Sequence, residues 1–178
     1  VPLTAGGGVR NLADIEALLR AGEDKVAINT AATKDPELIR SASRRFGSQC
    51  IVVSIEAKRI GDERWEAYTD NGRERTGLDA IEWSRRAVEL GAGEILLTSV
   101  DREGTRRGYD VELTRRVATG LPVPLIASGG AGTIPHVASV IREGGADAVA
   151  VAAVLHYGTF PLSRIKSELA GLGIGVRP

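Results

Sequence analysis

The chain repeats itself at long range. Val1-Pro2-Leu3-Thr4-Ala5-Gly6-Gly7-Gly8 returns as Val123-Pro124-Leu125-Ile126-Ala127-Ser128-Gly129-Gly130. Arg20-Ala21-Gly22-Glu23-Asp24-Lys25-Val26-Ala27 returns, with one extra glycine, as Arg142-Glu143-Gly144-Gly145-Ala146-Asp147-Ala148-Val149-Ala150. Two matched stretches in the same order make an internal duplication the strongest constraint on architecture.

The duplication spans four strand-helix units. Short apolar, β-branched runs are predicted as strands near Pro2–Ala5, Lys25–Asn29, Cys50–Ala57, Glu94–Thr98, Val123–Ala127 and Ala148–Ala152. Segments of helical period follow each one: Leu12–Ala21, Pro36–Phe46, Leu78–Leu90, Val111–Thr119, Ile134–Glu143 and Pro161–Leu172. Gly22, Gly91, Gly120 and Gly144 close four of them, where a left-handed cap is easiest to form. Strands alternating with crossover helices make a parallel sheet. Two four-unit halves make an eight-unit barrel. The expected fold is therefore α/β and TIM-barrel-derived, a parallel (βα) repeat with about six of eight units. It is expected to form one partial-barrel domain over 1–178, with a first-half remnant about 1–47 and a complete second half about 48–178. Two more units of about 35 residues would bring it near the roughly 250 residues typical of such barrels, so the reading expects truncation at the N-terminus. Between Lys58 and Thr76 a polar insert of alternating character predicts a small hairpin on top of the barrel.

Composition narrows the function classes. Lysine plus arginine and aspartate plus glutamate number 23 each, so no net field draws the chain to nucleic acid or to an anionic membrane. A lone cysteine, Cys50, forms no internal disulfide and fits a reducing compartment. No apolar run approaches the roughly 20 residues of a membrane span, and no secretory signal is evident. Cytoplasmic localisation is the expectation.

Loops after the strands form the active face of such barrels, and glycine-rich loops hold phosphate through backbone amides. Gly6-Gly7-Gly8 with Asn29 and Thr30 would make one anion site. Ser128-Gly129-Gly130 with Gly104, Ala152 and Ala153 would make a second. Either loop alone reads equally as a tight turn; paired by the repeat, they favour a ligand with two phosphates. Glu56 ends an apolar strand at its C-terminal mouth, suited to general acid or base work, although on position alone a surface carboxylate reads equally well. Thr98, Ser99, Asp101 and Glu103 follow the next strand and could orient substrate, or form a solvated charged loop. Lys25 and Glu94 open strands at the opposite end and could pair there, structurally. His136 is expected to be solvated on an outer helix, and His156 to touch the second loop or to pack. No histidine and cysteine cluster predicts a metal, and no cofactor is expected.

Several phrases resemble the cyclase subunit of imidazole glycerol phosphate synthase: Leu3-Thr4-Ala5-Gly6-Gly7-Gly8-Val9-Arg10, Gly47-Ser48-Gln49-Cys50-Ile51-Val52-Val53, Gly91-Ala92-Gly93-Glu94-Ile95-Leu96-Leu97-Thr98-Ser99 and Ile126-Ala127-Ser128-Gly129-Gly130-Ala131-Gly132. The resemblance implies a histidine-biosynthesis lyase that closes an imidazole ring on a bis-phosphorylated substrate. Ammonia would come through the barrel from a glutaminase subunit. On that template Gly8, Asn29 and Thr30 match one phosphate site, and Gly104, Gly130, Ala152 and Ala153 the other. Lys25 and Glu94 match the charged ring where ammonia enters. The family's first catalytic aspartate lies on a strand before this sequence, and Glu56 stands where its second is an aspartate. Glu103 replaces another aspartate, and Ala153 replaces a phosphate-binding serine. The expected function is a truncated or split cyclase relative, inactive as an isolated chain. Alternatives are a non-catalytic phosphate-binding or assembly module and a relative of the preceding pathway isomerase. Expected partners are a phosphorylated small molecule, phosphate or sulfate, a second copy pairing through open barrel edges as a homodimer or other homo-oligomer, a glutaminase subunit, or a fragment supplying two units.

Overall fold

A computed structural model describes residues 1–177. In chain order the first half runs β1 (Thr4–Gly6), α1 (Leu12–Ala21), β2 (Lys25–Ile28), α2 (Thr30–Lys34), α3 (Glu37–Phe46), a 3₁₀ turn (Ser48–Cys50) and β3 (Ile51–Gly61). Then come β4 (Arg64–Thr69), β5 (Glu74–Asp79), α4 (Ala80–Glu89), β6 (Glu94–Ser99) and α5 (Val111–Ala118). The last are β7 (Leu125–Ser128), α6 (Ile134–Arg142), β8 (Ala148–Val149), α7 (Ala153–His156) and α8 (Leu162–Gly171). Six strands pair in parallel in the order β1-β2-β3-β6-β7-β8, while β4 and β5 hang antiparallel from the far end of β3. The result is a curled, partial TIM-barrel sheet. No helix among the described residues is long and apolar enough to cross a membrane.

The repeat is structural as well as sequential. Asn11 caps α1 by accepting the Asp14 N–H, and Thr133 caps α6 by accepting the His136 N–H. Asp24 accepts the Leu3 N–H at 2.7 Å before β2, and Asp147 accepts the Leu125 N–H at 2.9 Å before β8. In both cases the aspartate's own N–H returns to the same leucine's carbonyl. These reciprocal bonds lock each glycine-loop strand to its successor.

Alternation along the strands sorts side chains onto two faces. Val26, Ile28, Val53, Ile55, Ile95, Leu97 and Leu125 are buried, whereas Ala27, Ser54, Leu96 and Ile126 are half-buried on the concave face. The interior divides into a large cluster from Ile15 to Leu125 and a smaller one from Tyr109 to Ile174, the latter joining β7, α6 and α8.

Several boundaries differ from expectation. Cys50 closes the 3₁₀ turn instead of opening a strand, because the Cys50 N–H turns back to the Gly47 carbonyl. The strand it precedes continues through Lys58 to Gly61 and becomes one side of the hairpin. Leu78 and Asp79 belong to β5, with the Asp79 carboxylate capping α4. The last strand covers only Ala148–Val149, and two short helices, α2 and α7, occupy segments read as loops.

Candidate active site

All six parallel strands end on the same side of the sheet, so the loops following β1, β2, β3, β6, β7 and β8 share one mouth. Register places three side chains in one row there: Glu56 of β3 lies beside Thr98 of β6, and Thr98 beside Ser128 of β7. Parallel partners point to the same face, and this is the concave one. Sequence reading named all three from separate segments.

Glu56 holds the centre of the mouth. Its Oε2 accepts the Gly72 backbone N–H at 2.8 Å from the turn between β4 and β5. Partial burial raises its proton affinity above the ordinary glutamate value, and the nearby Glu103 and Asp70 carboxylates push the same way. The Gly72 N–H and the Asn29 side chain oppose them. A carboxyl raised in this way holds its proton more firmly than an exposed glutamate does.

The second glycine loop is a formed cavity. About 240 Å³ is enclosed by Glu103, Gly104, Arg106, Ser128–Ala131 and Ala150–Ala153. This set contains every residue that the sequence assigned to the second anion site. The loop is tightly packed: a Cβ on Gly129 would lie 2.7 Å from the Ser99 carbonyl oxygen, and one on Gly130 would lie 2.2 Å from that of Gly108. Both glycines also have positive φ, at 89° and 102°. Arg106 supplies the only cation in this lining, and its guanidinium lies 5.2 Å from the Tyr157 ring centroid.

The first glycine loop has matching backbone but open surroundings. Gly7 and Gly8 have φ of 92° and 71°, and a Cβ on either would meet nothing within 4 Å. Asn29 and Ala152, equivalent in the repeat, share an unusual conformation (φ −125° in both) before α2 and α7. The Asn29 amide reaches the hairpin, donating to the Tyr68 carbonyl at 3.3 Å. Thr30 begins α2, as Ala153 begins α7.

At the opposite end Lys25 and Glu94 form an ion pair across the start of β3, hydrogen-bonded and partly buried. Asp101 serves structure, accepting the Arg59 N–H at 2.8 Å. His136 is half-buried against the Gly108 loop, and its Nδ1 is shielded from water without a hydrogen-bond partner. It is not the solvated side chain expected. His156 is exposed and stacks edge-on against Tyr157. A larger groove of about 390 Å³ lies elsewhere, lined by Asp79, Glu82, Arg85 and Arg116 among others. Its arginines are engaged in ion pairs with Glu82, Glu112 and Glu63, and none of the six parallel strands contributes to its lining.

Sequence reading missed two contributors. Arg106 sits in a loop read only for Asp101, Glu103 and Gly104. Gly72 belongs to Asp70-Asn71-Gly72, a strong turn signal that pairs β4 with β5.

A parallel βα sheet carrying its polar side chains and glycine loops at one C-terminal mouth defines a protein of the (βα)-barrel class, here in partial-barrel form. Residues 1–161 match the model of the family described as "Histidine biosynthesis protein", and the chain belongs to that family.

Proposed function

We propose that the mouth binds a bis-phosphorylated substrate of histidine biosynthesis and that Glu56 is its proton-transfer group, in the manner of the cyclase subunit of imidazole glycerol phosphate synthase. The cavity built by Ser128–Gly130, Gly104 and Ala152–Ala153 carries this reading, since small residues that let backbone approach a ligand line it together with one arginine. The equivalent loop at Gly7–Gly8, after β1, opens at the same mouth on the other side of Glu56 from that cavity. Lys25 and Glu94, paired at the far end, are the proposed gate for ammonia from a glutaminase subunit. A relative of the isomerase that precedes the cyclase, which shares the barrel and both phosphate loops, is the second reading.

Calorimetric titration with inorganic phosphate, sulfate and a bis-phosphorylated sugar tests the site. Binding should weaken as salt rises, and Arg106→Ala should weaken it by about tenfold, the loss of one charge-assisted contact. Absence of binding at millimolar ligand sinks the proposal.

A further inference from the structure

The β4–β5 hairpin reaches back over the mouth, and its turn is unusual. Asp70, Asn71 and Gly72 all have positive φ, at 52°, 57° and 73°. A bond from the Arg73 N–H to the Thr69 carbonyl, 3.1 Å, closes the loop around them. Three consecutive left-handed residues are costly except for glycine and, less so, asparagine and aspartate. Such backbone persists only where the surroundings impose it. Here they do so from three sides. The Trp65 indole is fully buried and donates to Asp110 at 3.0 Å, pinning β4 to the start of α5. The buried Glu66 carboxylate takes Arg75 and the Gly77 N–H, tying β4 to β5. Gly72 sits against Val100, where a Cβ would approach to 2.9 Å. The one hydrogen bond that the turn sends into the mouth goes to Glu56.

We propose that the Asp70-Asn71-Gly72 turn is a positioning element for Glu56: the Gly72 N–H fixes one carboxyl oxygen, and the Asp70 carboxylate sets the charge that the carboxyl meets. This rests on Glu56 being the proton-transfer group. When a neutral Glu56 gives its proton to a bound ligand it is left as carboxylate, and the Gly72 N–H becomes a charge-assisted, stronger bond that steadies it. Every group facing Glu56 has a part. Glu103 approaches from the β6–α5 loop and Asn29 from the start of α2. Lys58, two residues along the same face of β3, is drawn off over the Tyr68 ring at 5.6 Å. The hairpin is therefore part of the site and not merely an insertion beside it.

Following the amide proton of Gly72 by ¹⁵N-edited NMR against pH, on the ligand-free full chain, tests the proposal without reference to phosphate binding. The Gly72 signal should move downfield with an inflection above the ordinary glutamate value, as its acceptor ionises. In Glu56→Gln that inflection should vanish. In Asp70→Asn, which keeps a residue tolerant of positive φ, it should persist but move to lower pH. A Gly72 amide that does not titrate, an inflection that survives Glu56→Gln, or one that Asp70→Asn leaves in place would overturn the assignment. Either variant alone is decisive if the other fails to fold.

Discussion

Glu56 and Glu66, on the paired strands β3 and β4, differ sharply in what they do for stability. Glu56 has its folded proton affinity raised, chiefly by burial, so its favourable contribution is full below the ordinary glutamate value and is lost as pH rises through the folded one. Glu66 is the reverse: hydrogen bonds from Arg75 hold its carboxyl below the usual range, and its contribution disappears as pH falls. Glu56→Gln should therefore raise the melting temperature at pH 7, with the gain closing toward about pH 4. Glu66→Gln should lower it at pH 7, with the loss shrinking on acidification. Thermal melts across pH check both, and slopes of the same sign would contradict the assignment. Trp65 is the largest fully buried side chain. Trp65→Ala should cost about 3–5 kcal/mol by urea unfolding. Trp65→Phe should cost less, having lost the bond to Asp110 while keeping most of the packing.

Among the elements, long segments with clear period were legible and short ones were not. Helix α1 occupies the predicted Leu12–Ala21, and α3, α5 and α6 begin or end within a residue or so of expectation. Helices α2 and α7 span five and four residues, too few to show a period, and exist because the chain must turn immediately after β2 and β8. The hairpin was foreseen as a polar insert, but β4 is buried on both faces from Trp65 to Thr69, since it lies between β3, β5 and α4. Charged residues such as Glu66 hide that burial in the sequence, because an ion pair makes it tolerable. Glu56, Thr98 and Ser128 were each identified separately, but their common row follows from register, which no single segment encodes. The N-caps give a test at this scale: Asn11→Ala and Thr133→Ala should each cost about 1 kcal/mol, being equivalent in the repeat. Chemical denaturation of both variants measures it.

For the molecule as a whole, β1 and β8 each pair on one side only among the described residues. Leu3 is 59% exposed beside β1, and Leu155 and Tyr157 stand in the open beyond β8. Unpaired strand edges with apolar neighbours favour association. A polypeptide of these 178 residues should sediment as a dimer or larger at micromolar concentration, and a monomer with a cooperative melt would refute this. The same polypeptide should show no ring-closing turnover with ammonia supplied, since the resemblance calls for a second carboxylate on another strand; robust turnover would mean that Glu56 acts with a different partner.

The strand order also makes the mouth a ruler. β3 is flanked by two strand steps to β1 on one side and two to β7 on the other. Neighbouring strands stand about 4.8 Å apart, so the two glycine loops are separated by four steps, roughly 19 Å measured along the curved sheet. Glu56 marks the midpoint. A ligand that engages both loops must be long, with its reactive atoms near its middle, while a compact bisphosphate can reach only one loop at a time. Length alone would then sort substrates before any chemistry begins.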